Sequence, residues 1–152
     1  MVKLWERLKG TADLPDVASV SGGDLERVRD KLMMLDVIRS AGGEPQYLIR
    51  FHGIDFERMN NQNCVGRFLH DAMPAAVRKS GLPFYHQVVE QRMPAFGITF
   101  VDSEADGGLS YERLLLPFTR NGQDVDQIYC VLTLFAENNS SPFEIVQKAS
   151  RT

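Results

Sequence analysis

The segment LSYERLLLPFTRNGQDVDQIYCVLTLFA, residues 109–136, decides the fold. Its apolar residues fall at both parities. Leu114, Leu116 and Phe118 alternate with Leu115 and Pro117, and Ile128, Cys130, Leu132 and Leu134 alternate with Tyr129, Val131 and Phe135. That pattern predicts two long strands, about Leu109 to Thr119 and Val125 to Phe135. Asn121-Gly122 between them supplies the positive φ angles of a hairpin turn, and Asp124 and Asp126 keep the connection polar. An antiparallel pair with one wet face alternates apolar with polar. This pair does not, so both of its faces are expected to be covered, and the rest of the chain must supply two covers.

Working backwards, AFGITFV (Ala95 to Val101) reads as a strand that follows Met93-Pro94 and enters the hairpin through the polar turn Asp102 to Gly108. LMMLDVIR (Leu32 to Arg39) and QYLIRFH (Gln46 to His52) form an earlier hairpin around the turn residues Ser40 to Pro45. Between the two strand groups lie short pieces. IDFERMN makes one or two helical turns, NNQNCVG is loop, and Gly66 to Leu69 starts another turn. A longer helical region then runs from Met73-Pro74 to about Arg92, interrupted at Gly81-Leu82-Pro83.

At the N-terminus, Val2 to Lys9 places Leu4, Trp5 and Leu8 on one face of a short helix. Eight residues are too few to be helical alone in water, so this helix must dock, and the outer face of the hairpin is the apolar surface available. Thr11 to Gly23 is a connector, after which Asp24 caps the helical segment LERVRDKL. Near the C-terminus, Ser141-Pro142-Phe143-Glu144 has the form of a capping box that starts a short helix, PFEIVQKA. The expected organisation is an N-terminal cap and connector (1–31), a core (32–136) and a tail (137–152). The expected fold is α+β, a five-stranded antiparallel sheet with short helices on one face and the N-terminal helix on or near the other.

At 152 residues the chain is long enough to bury a core without disulfides or metal. A net charge of −3 gives no electrostatic case for nucleic acid or an anionic membrane. The longest apolar run, Ile128 to Phe135, is far shorter than a bilayer span. MVKLWERLKG lacks a signal-peptide core, so a cytoplasmic location is expected, and the two cysteines, Cys64 and Cys130, suit a reducing compartment.

The order of elements resembles the PAS domain superfamily. The residues that carry the likeness are Tyr47 to Gly53 (YLIRFHG), Cys64 to Leu69 (CVGRFL), Tyr85 to Pro94 (YHQVVEQRMP), Tyr111 to Phe118 (YERLLLPF) and Val125 to Leu134 (VDQIYCVLTL). YERLLLPF with its preceding helices most resembles a group of stand-alone bacterial PAS proteins of poorly defined role. The resemblance implies a sensory or interaction module in bacterial signalling, without enzymatic activity. Such a module holds a small molecule between sheet and helices, or pairs through the sheet, and acts through a separate signalling protein. Two alternatives are a homodimeric scaffold with no ligand and a small cone-fold isomerase or dehydratase. The latter needs a His-Asp or Asp-Tyr pair, for which spacing gives His86 and Asp71 no support.

Asn63-Cys64, followed after Val65-Gly66 by Arg67-Phe68-Leu69-His70, looks like the flavin-photoreceptor motif of light-sensing PAS domains, in which Asn-Cys is followed directly by Arg-Phe-Leu-Gln. Two extra residues turn a helical cysteine by about 200°, or leave it in the preceding loop. A thiol that must reach a flavin carbon tolerates neither, so no flavin and no other cofactor is expected. Among the histidines, only His86 resembles a haem ligand of the family, and its partly polar helix face favours an ordinary solvated side chain; no pair has zinc-ligand spacing.

Four residues are the expected ligand-binding set: Arg50 and His52 on the second strand, and Tyr111 and Arg113, whose parity matches Leu115 and, by the resemblance, points to the helices. Guanidinium and phenol groups there suit a carboxylate or phosphate. Trp5, Leu8, Tyr129, Val131 and Phe135 are the expected homodimer surface, on the opposite parity, with Leu114, Leu116 and Phe118 as neighbours.

Overall fold

The structure is a computed structural model and describes residues 1–73, 75–101 and 109–136. Five strands form one antiparallel sheet: β1 (Leu32–Ile38), β2 (Gln46–His52), β3 (Ala95–Val101), β4 (Leu109–Phe118) and β5 (Gln127–Ala136). Their order is β2-β1-β5-β4-β3, so residues 109–136 supply the central strand and its neighbour. The helices are α1 (Val2–Lys9), α2 (Gly22–Leu25), α3 (Ile54–Asn60), α4 (Leu69–Ala72) and α5 (Ala75–Gln91), with 3₁₀ turns at Val17–Ser19 and Glu26–Lys31. The expected tail helix and the turn at 102–108 lie outside the described residues.

Both faces of the sheet are covered. On the inner face, Cys130, Ile128 and Leu115 are fully buried against α5, whose Tyr85 and Val88 point inward. On the outer face, Leu116, Phe118 and Tyr129 are equally buried, and the N-terminal segment covers them. Its anchor is Trp5, 5% exposed, whose indole N–H donates to the Pro117 carbonyl at 2.6 Å. The connector then runs beside the end of β4: Thr119 N–H donates to Pro15 O at 3.0 Å, and Val17 N–H to Thr119 O at 2.9 Å.

Several local expectations are corrected. Ser21, not Asp24, caps α2: the Ser21 hydroxyl accepts from Asp24 N–H while the Asp24 carboxylate accepts from Ser21 N–H. The helix continues only as 3₁₀ turns, because the chain must straighten at once into β1. The β4–β5 connection is a longer loop in which Gly122 alone has positive φ (80°). The Thr119 hydroxyl accepts from Gly122 N–H, and the Asn121 side chain accepts from the Gln123 and Asp124 N–H groups, so side chains replace a tight turn. The long helix is not interrupted at Gly81-Leu82-Pro83; Pro83 lies within α5, on its exposed side, where water can take the bond lost to the Lys79 carbonyl.

The two sheet edges differ. Along β2, Ile49 N–H donates to Arg67 O at 3.0 Å and Ile49 O accepts from Gly66 N–H at 2.8 Å, so the loop after α3 caps that edge. Among the described residues no segment pairs with the outer edge of β3.

Candidate functional site: a buried guanidinium between sheet and helix

Alternation along β4 turns Tyr111, Arg113 and Leu115 to the inner face. Arg113 is 5% exposed, and its guanidinium lies over three rings: Phe84 at 4.8 Å, Tyr111 at 5.4 Å and Tyr85 at 5.6 Å from the ring centroids. Two glycines make this approach possible. A Cβ on Gly97, paired with Arg113 across β3 and β4, would lie 3.1 Å from Phe84 Cζ. A Cβ on Gly81 would lie 2.5 Å from Met73 Cε and 3.4 Å from Arg113 Nη1. Without side chains at 81 and 97, α5 closes on β3 and β4 and sandwiches the cation.

The cation is poorly compensated. Nη1 donates to the Gly81 carbonyl over a long 3.5 Å, and among the described residues the buried Nε has no hydrogen-bond partner and no carboxylate pairs with Arg113. A cation over a ring gains roughly 0.5–2 kcal/mol, whereas burying a charge costs several kcal/mol unless it is paired. Three rings therefore offset only part of the cost.

The surrounding groups are held in their neutral forms. Burial raises the Tyr85 hydroxyl well above its usual range and pushes the Cys130 thiol up to about 11. Burial likewise raises the Tyr47 hydroxyl, which shares a hydrogen bond of 2.7 Å with His86 Nδ1. The other ring nitrogen of the haem candidate, Nε2, lies 3.8 Å from Glu44 Oε2. Asp71 pairs with its neighbour His70 at 3.3 Å and makes no pair with His86.

The four expected ligand residues do not converge. Tyr111 and Arg113 meet. Arg50 does not join them, because a bulge at Met34/Leu35 inserts it as an extra residue in β2 and breaks the parity that would put it on one face with His52. Arg50 and Arg120 bond the two oxygens of Asp36, which also accepts from Gln127 at 2.8 Å. His52 is buried and engaged at both nitrogens: Nε2 accepts from Cys64 N–H at 2.9 Å and Nδ1 donates to Gly53 O at 3.2 Å. Phe84, Tyr85 and Gly81 were missed; the signal for them was the pair of glycines opposite one arginine.

Of the expected dimer residues, Trp5 and Tyr129 are buried inside the chain, Leu8 and Val131 are half-buried, and Phe135 is 46% exposed. Cys64 lies in the loop before α4, buried, its thiol raised by burial. Among the described residues, no helix is long and apolar enough to cross a membrane, and no cluster of His, Cys, Asp and Glu side chains forms a metal site.

No family model matches the chain, and no curated protein matches it. Among solved structures, a light-oxygen-voltage (LOV) domain studied with a flavin analogue is similar over 83% of this chain and 92% of that one, with a TM-score of 0.53 and 8% identity. The LOV protein of Rhodobacter sphaeroides is similar over 87% and 90%, with a TM-score of 0.49 and 10% identity. LOV domains belong to the PAS superfamily, and the fold described above is the PAS fold.

Proposed function

We propose that this chain is a PAS-type sensory module that holds a small anionic molecule between sheet and helix at Arg113 and acts through a separate signalling protein. The observation that carries the reading is the buried guanidinium with an unpartnered Nε and no acidic partner among the described residues. A carboxylate or phosphate supplies the acceptors that the three rings cannot. Catalysis has little support here, since burial keeps the two thiols and the Tyr47 and Tyr85 hydroxyls in their less nucleophilic, protonated forms. Two free cysteines fit a cytoplasmic setting. The module assembles as a homodimer through apolar surface left on the sheet.

Thermal unfolding with acetate, benzoate or inorganic phosphate, beside native mass spectrometry of the purified chain, tests the ligand. Arg113→Met is the control. The expected result is a midpoint raised by at least one anion in the parent and unmoved in Arg113→Met. Midpoints that no anion moves, together with a native mass equal to the chain alone, would defeat the reading.

A further inference from the structure

We infer that the homodimer forms edge to edge, by antiparallel pairing of β3 with β3 of a second copy centred on Ile98. The inference rests on the homodimer reading above and specifies its surface and register.

The two edges of the sheet give the first reason. The β2 edge is capped by the Gly66–Phe68 loop, but β3 keeps its outer backbone groups unpaired among the described residues. Proteins usually protect such an edge with a charge, a proline or a bulge. Ala95–Val101, AFGITFV, has neither a charge nor a proline, and its register with β4 is unbroken.

The exposed side chains give the second. Phe96, Ile98 and Phe100 are 60%, 52% and 78% exposed on the outer face, where the N-terminal segment does not reach. Phe135, two strands away, is 46% exposed and shares the row of Phe100 through Ser110. At about 200 Å² per phenylalanine, Phe96 and Phe100 alone leave roughly 280 Å² in the open at the edge. That is about a third of the roughly 800 Å² that each partner contributes to a standard interface.

The third reason selects a second copy over any other partner. The strand is palindromic in its outward residues: Phe, Ile, Phe at 96, 98 and 100. A twofold axis at Ile98 sets Phe96 of each copy opposite Phe100 of the other, so one contact is made twice and Ile98 meets itself. Aromatic pairs directly opposite across antiparallel strands contribute about 0.2–1 kcal/mol each. On the inner side, Gly97 falls opposite Thr99, and neither side chain is large enough to obstruct the pairing. The product is a continuous ten-stranded sheet with α5 of both copies on one side.

The register makes the test specific. Cys64 and Cys130 are buried, so a cysteine placed on β3 is the reactive one. Ile98→Cys should be captured as a covalent dimer by a short bifunctional thiol reagent, because opposed Cβ atoms lie about 4.5–5.5 Å apart. Phe96→Cys alone should not, since its counterpart is offset by four residues, about 13 Å. Phe96→Cys/Phe100→Cys should be captured again. Ile98→Lys, with its circular dichroism unchanged, should sediment as a monomer at tens of micromolar where the parent is a dimer. A parent chain that is monomeric there overturns both this inference and the homodimer. A dimer that persists in Ile98→Lys, or that is captured through Val131→Cys and not Ile98→Cys, overturns the edge pairing alone and assigns the contact to the face of the sheet.

Discussion

The hydroxyl of Tyr85 donates to the thiol of Cys130 at 3.5 Å, and the pair ties the middle of α5 to the central strand of the sheet. Both groups are fully buried, so the space between strand and helix is set by a sulfur and an oxygen in contact. Cys130→Phe forces a ring into that space. It should lower stability by about 1–3 kcal/mol, read as a shifted urea midpoint at unchanged slope. An unmoved midpoint would place residue 130 on the other face of β5.

Asp36 makes acid stability dependent on one carboxylate. Burial pushes its pKa upward, but hydrogen bonds from Gln127, Arg50 and Arg120, with the charge of Arg120, win and hold it below the usual aspartate range. A carboxyl depressed in the folded chain contributes stability that is fully present above its unfolded pKa and is lost as pH falls through the folded value. Asp36→Asn should therefore destabilise the protein at pH 7 and flatten its loss of stability below about pH 4. Urea midpoints at pH 7, 5 and 3 measure this; parallel curves for parent and variant would rule it out.

Gly53 is needed for the room it leaves. A Cβ there would lie 2.1 Å from the Arg29 carbonyl oxygen and 2.3 Å from that of Asp30, both backbone atoms that cannot rotate away. Gly53→Ala should cost more than about 2 kcal/mol, because the turn before β1 and the end of β2 must separate. Gly22→Ala, which meets nothing within 4 Å, is the matched control and should leave the midpoint near that of the parent.

Tyr47→Phe removes the hydrogen-bond partner of His86 Nδ1 and leaves the ring packing against Tyr85 in place. The expected loss is about 0.5–1.5 kcal/mol. The imidazole tautomer should also relax toward a mixture, visible in the ¹⁵N shifts of His86. Unchanged shifts would mean that another contact fixes the proton.

What could be read from sequence was whatever repeats locally. Both-parity burial in Leu114–Phe118 and Ile128–Leu134 announced a sheet covered twice, and the 3.6-residue spacing of Leu4, Trp5 and Leu8 announced one of the covers. The face assigned to Arg113 followed from parity with Leu115. Arg50 defeated the same logic, because a bulge is a property of two paired strands and leaves no mark in one. The capping of Asp24 failed over three residues, since Ser21 is an equally good cap and only the start of β1 chooses between them. The partners of Arg113 come from α5, about thirty residues upstream, where only Gly81 and Gly97 hinted that something large had to fit between.

Pro117 turns the docking of α1 into an optical signal. Phe118 O accepts from Asp126 N–H, so the Pro117 peptide points away from β5, toward the side where β3 has already ended at Ala95. A proline costs no ladder bond there, and its carbonyl is left for the indole of Trp5, the single tryptophan of the chain. Emission at tryptophan wavelengths therefore arises from one place, the seam between α1 and the sheet. When the helix is seated, the indole is dry and hydrogen-bonded; once it lifts, the same ring meets water and its emission moves to the red. The protein carries its own fluorescent gauge of whether the outer cover is closed, with no label attached.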